Sequence, residues 1–136
     1  FPTLFAVYYF AVISKKGSGK WILGVPVLAI LVFLTHPNGR QVPYYTLFWL
    51  IPLLGYKFKN NLYMKSLGAT FTAHSVGGAA WIWAFNLPAS VWNALIPVVI
   101  AERLIFASGI AASYLAVKYS LQFLAGKKIL PKIELA

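Results

Sequence analysis

Five apolar stretches, each cut from the next by a short polar gap, constrain this chain more than any other feature. They cover residues 1–14, 21–35, 42–56, 62–85 and 91–125. A helix needs about 20 residues, within a range of about 17 to 25, to cross roughly 30 Å of hydrocarbon. It also satisfies its own backbone hydrogen bonds where no water can. Only 10% of the residues are charged, against about 25% in an ordinary globular domain, and 60% are hydrophobic. The expectation is an all-α fold: a polytopic transmembrane helix bundle over residues 1–125, with five helices in this chain, and a cytoplasmic basic tail at 126–136.

The gaps read as turns by their chemistry. Lys-Lys-Gly-Ser-Gly-Lys occupies 15–20, His-Pro-Asn-Gly-Arg-Gln 36–41, Lys-Phe-Lys-Asn-Asn 57–61 and Asn-Leu-Pro-Ala-Ser 86–90. Connections this short force neighbouring helices to run antiparallel. All ten lysines then fall on one face: 15, 16 and 20 in the first gap, 57, 59 and 65 around the third, and 118, 127, 128 and 132 at the C-terminal end. Positive loops stay on the cytoplasmic side, so the reading is a multi-pass cell-membrane protein with its C-terminus inside and Phe1 on the outer side. The opening Phe-Pro-Thr-Leu-Phe-Ala has neither an initiator Met nor a charged leader. The expectation is therefore that residues precede Phe1, one further helix giving six crossings with both termini inside.

The formal charge of +10 would point a water-soluble chain toward nucleic acid. Here the basic residues sit in gaps between apolar blocks, so lipid headgroups are the expected anionic neighbours. No cysteine is present, which removes disulfides, thiolate metal sites and cysteine nucleophiles. The two histidines, His36 and His74, lie in different segments without ligand spacing, so no metal or cofactor is expected. Lys16-Gly-Ser-Gly-Lys20 lacks the first glycine and the preceding strand of a phosphate loop, and reads as a turn. With Glu102 and Glu134 the only acidic residues, a carboxylate-based hydrolase is excluded and an enzyme is not expected.

Ionisable groups inside a bilayer are costly, about 2.5 to 3.5 kcal/mol at a helix centre on insertion scales, and three stand out: His74, Glu102 and Arg103. His74 and Glu102 each lie fourteen residues from Pro88, the centre of the turn between the last two blocks. An antiparallel hairpin sets them at one height, about 20 Å below the turn. Thr70, His74, Gly77, Gly78 and Trp81 share one face of the fourth block; Glu102, Gly109, Ser113 and Ala116 share one face of the fifth. Small residues there allow close helix approach. Two readings stand side by side: a polar site for a ligand, or hydrogen bonds and an ion pair that lock the bundle. Trp81, Trp83, Phe85, Asn86, Trp92 and Asn93 form either an interfacial aromatic belt or the mouth of a binding site, with Tyr44, Tyr45 and Trp49 as the opposing wall.

The segment Pro97-Val-Val-Ile-Ala-Glu-Arg-Leu-Ile-Phe-Ala-Ser-Gly-Ile-Ala-Ala, after a short turn and before a lysine-bearing end, resembles the last helix of substrate-binding S-components of energy-coupling-factor vitamin transporters. The resemblance covers about a third of the chain. It implies a bundle of about six helices, a vitamin-like ligand held near the outer side, and partnership with a membrane coupling subunit and two ATPases. No ligand-specifying motif carries over. The candidate ligand-binding residues, chosen from the residues themselves, are Thr70, Thr72, His74, Ser75, Trp81, Asn86, Glu102 and Arg103. The leading expectation is a small-solute binding or uptake component. The alternative is a non-catalytic integral subunit of a larger respiratory or translocation complex. A third reading, intramembrane acid/base chemistry by His74 and Glu102, lacks a nucleophile or metal set.

Overall fold

The computed structural model describes residues 2–13 and 20–126, and among these every regular element is helical. Most of the first lysine-bearing gap and the basic tail from 127 onward lie outside the described residues. Helix α1 spans Pro2–Val12; a 3-10 turn, Lys20–Leu23, leads into α2, Gly24–Thr35. The single turn α3, Pro37–Arg40, precedes a 3-10 segment, Pro43–Leu50, which continues as α4, Ile51–Lys57. The long antiparallel pair α5, Leu62–Phe85, and α6, Ala89–Gly126, completes the chain.

Proline marks both blocks that depart from a single α-helix, 21–35 and 42–56. In 42–56, Pro52 falls in the first turn of α4. Without an N–H it cannot donate across the junction, so the chain runs as 3-10 up to Leu50 and restarts as α at Ile51. Pro26 stands likewise in the first turn of α2, behind the 3-10 turn Lys20–Leu23, where N–H groups have no intrahelical partner. Asn61 starts α5 by accepting from the Met64 N–H at 3.1 Å, and Asn86 ends it in the left-handed region at φ 49°, a conformation that asparagine tolerates.

Helix α5 is the central post, packed against α1, α2, α4 and α6. Its small residues make this possible. Tyr9 of α1 crosses directly over Gly68, and its hydroxyl donates to the Pro52 carbonyl at 2.5 Å. A Cβ on Gly78 would stand 2.6 Å from the Trp49 ring. A second cluster is aromatic: Phe33 meets both Trp49 and Trp92 edge-on, with centroids 5.0 Å apart. In a bilayer such packing, rather than water exclusion, holds helices together.

Helix α6 extends about 57 Å and buries only Trp92, Val99 and Ala107. By length and composition it is the one helix among the described residues able to cross a membrane, with a mean hydropathy of 1.8 over its most apolar 18 residues. α5 has the length, but Lys65, His74 and its Ser, Thr and Gly residues dilute its apolar character. Large apolar side chains such as Leu4, Leu28, Leu47, Ile105 and Phe123 stand well exposed, as on surfaces that meet a membrane or a protein partner.

Candidate functional site

A half-open cavity of about 1000 Å³ lies between the start of α1, one face of α5 and one face of α6. Helical spacing puts Thr70, Ala73, His74, Gly77, Gly78 and Trp81 on its α5 wall. The α6 wall repeats every three or four residues through Leu95, Val99, Glu102, Phe106, Gly109 and Ser113. Pro2, Thr3 and Ala6 close the third side, and Tyr45 reaches in from the 3-10 segment.

The polar groups form two sets, a pair and a group of three. His74 Nε2 lies 3.0 Å from the Tyr45 hydroxyl. Arg103 donates from Nη1 to Thr70 Oγ1 at 3.0 Å, and from Nη2 to Glu102 Oε2 at 3.4 Å. Its guanidinium also sits over the Phe106 ring, 4.7 Å from the centroid. Glu102 and His74 thus line the same cavity, yet each has another partner. Arg103 stands between the two helices and bonds across to α5. Its Nε is buried with no hydrogen-bond partner among the described residues.

Thr70, His74, Trp81, Glu102 and Arg103 therefore come together at the cavity. Thr72 and Ser75 do not line it. Both are buried, their hydroxyls bonded back to the Gly68 and Thr72 carbonyls of their own helix at 2.8 Å, a local satisfaction common to Ser and Thr in helices. Asn86 also lies off the cavity wall. It caps α5 and, through its Oδ1 and carbonyl, accepts from the Asn38 amide. Asn38 further donates to the Leu87 carbonyl at 3.0 Å, fastening the α3 turn over the α5–α6 connection.

Tyr45 is, with Thr3 and Ser113, a polar contributor from outside the candidate set. It is fully buried, and its only sequence signal was a place among the aromatics facing the expected mouth. The apolar residues of the α6 wall were legible by their three- and four-residue spacing from Glu102. The α1 residues carried no signal, since nothing in their own sequence sets the rotation of that helix. Chemically, the cavity offers one guanidinium, one carboxylate, an imidazole bonded to a phenol, and aromatic walls. Among the described residues no three His or acidic groups gather to hold a metal ion. Comparison of the chain with known protein families, with curated proteins and with solved structures gives no match.

Proposed function

We propose that the chain is a multi-pass membrane protein that binds a small, flat solute, of vitamin or heterocycle size, as the binding component of an uptake system. The observation that carries this reading is the cavity itself. A few convergent polar groups on largely apolar walls, at a volume near the upper end of the usual ligand-pocket range of about 300 to 1,000 Å³, suit a molecule with a planar body and one polar end. The charged residues at the site support it too, because an ion pair inside a bilayer is rarely placed without a use. The lysine-bearing ends would face the cytoplasm, with Lys65 and Lys118 converging on the Tyr114 ring at one such end.

The test is purification of the protein in native lipid, followed by mass spectrometry of retained small molecules, in parallel with Gly109→Phe. Gly109 lines the cavity, and a Cβ there meets nothing within 4 Å, so the new side chain starts into open space on the cavity wall. A solute retained by the parent and absent from the variant supports the reading. Identical retention by both rejects it. A second reading, a non-catalytic subunit of a larger membrane complex, draws on α6, whose most apolar window is only 11% buried. It predicts stoichiometric protein partners in the same preparation and no retained solute.

A further inference from the structure

We propose that the solute carries a carboxylate, and that this carboxylate displaces Glu102 from Arg103. The proposal rests on the small-solute reading above and adds the chemical class of the solute. Among the described residues, Arg103 supplies the only guanidinium or ammonium group on the cavity wall. Its position does not depend on Glu102, because Thr70 holds Nη1 from the neighbouring helix.

The Glu102 contact is the weak one. At 3.4 Å it is well beyond the roughly 2.7 to 2.9 Å of a good charge-assisted bond, and only one carboxylate oxygen takes part. Consecutive helix residues diverge by about 100°, so they do not face each other. Burial separates the partners as well: the Glu102 side chain is 49% exposed and that of Arg103 only 16%. The cation is fixed and the anion is free to turn away. A guanidinium with five donors, an unpartnered Nε and one long ionic contact is underused. In surroundings of low dielectric, a carboxylate arriving in better register gains more from it than Glu102 does.

The rest of the cavity defines the remainder of the molecule. Trp81, Trp92, Tyr45 and Phe106 offer flat apolar walls, and His74 with its Tyr45 bond adds one polar edge. A planar ring system with one anionic substituent satisfies both halves.

The experiment titrates the full-length protein in lipid nanodiscs by calorimetry with three probes sharing one ring system: indole-3-acetate, indole-3-acetamide and tryptamine. The acetate should bind about 10-fold or more tighter than the amide, as for a hydrogen bond gained to a charged group, and tryptamine weakest. Arg103→Gln should bring the acetate down to the amide's affinity. Glu102→Gln removes the competitor without touching the Thr70 bond, so it should tighten the acetate roughly 3- to 10-fold and leave the amide unchanged. Equal binding of acetate and amide, preference for tryptamine, weaker acetate binding by Glu102→Gln, or binding of no probe would each overturn the proposal. Gly109→Phe separates the two levels of the argument. If it abolishes binding of probes that show no carboxylate preference, the cavity reading stands and the carboxylate alone is wrong. If probe binding survives it, the cavity is not the site.

Discussion

Arg103 on α6 and Thr70 on α5 meet side chain to side chain at 3.0 Å, although 33 residues separate them in the chain. The bond joins the two longest helices beside the only ion pair among the described residues. It makes the α5–α6 pairing a condition of the site: where α6 shifts, the guanidinium shifts with it.

Removing that bond has a defined cost. Thr70→Val keeps the shape and deletes the hydroxyl, and should lower stability by about 0.6 to 2 kcal/mol, the span seen for interhelical polar contacts in membrane proteins. Thermal unfolding in detergent measures it. A double-mutant cycle with Arg103→Gln should show strong coupling, and additive effects would mean that the two side chains act independently.

The glycines on the cavity wall should separate by their surroundings. Gly78→Ala drives a methyl against the Trp49 ring, 2.6 Å from the new atom, and should destabilise by about 1 to 3 kcal/mol through overpacking. Gly109→Ala meets open space and should be neutral, or stabilising by up to about 1 kcal/mol from helix propensity. Comparing the two melting temperatures checks this directly, and the opposite order would contradict the α5–3-10 packing.

At the other end of α5, Asn86 holds a positive φ of 49°. Asn86→Gly should be tolerated, since glycine adopts that region freely, and the Asn38 amide retains its bonds to the backbone carbonyls of 86 and 87. Asn86→Val should cost about 1 to 2 kcal/mol from the left-handed backbone alone. Proteolysis at the α5–α6 turn should rise in the valine variant and stay unchanged in the glycine variant.

The proposed topology is testable because the chain has no cysteine. Gln41→Cys and Asn60→Cys each place a single exposed thiol in a connection between helices. An impermeant maleimide applied to intact cells should label residue 41 and spare residue 60 until the membrane is opened. Labelling of both from one side would refute the alternating arrangement.

Much of the helix layout was legible in the residue order. The fourth block, 62–85, coincides with α5, and the turn expected around Pro88 separates α5 from α6. Apolar runs, Asn and Pro punctuation and short gaps carry that information locally, because each acts within a few residues of itself. The third block was harder. Its apolar run continues smoothly from Val42 to Tyr56, yet Pro52 divides it into 3-10 and α portions, since a missing N–H interrupts a hydrogen-bond ladder without disturbing hydropathy.

The site divides the same way. Periodicity along one helix identifies which residues share a face, and that put Thr70, His74, Gly77 and Trp81 together, as it did Glu102, Gly109 and Ser113. Partner choice lay beyond it. His74 bonds to Tyr45 and Glu102 to Arg103 instead of to each other, and Thr72 and Ser75 turn their hydroxyls into their own helix. A helix's rotation about its axis is set by the side chains packed against it from distant parts of the chain, here Tyr9 on Gly68 and Trp49 on Gly78. Residue order therefore settles which residues share a face, while the contacts between helices settle which polar groups meet.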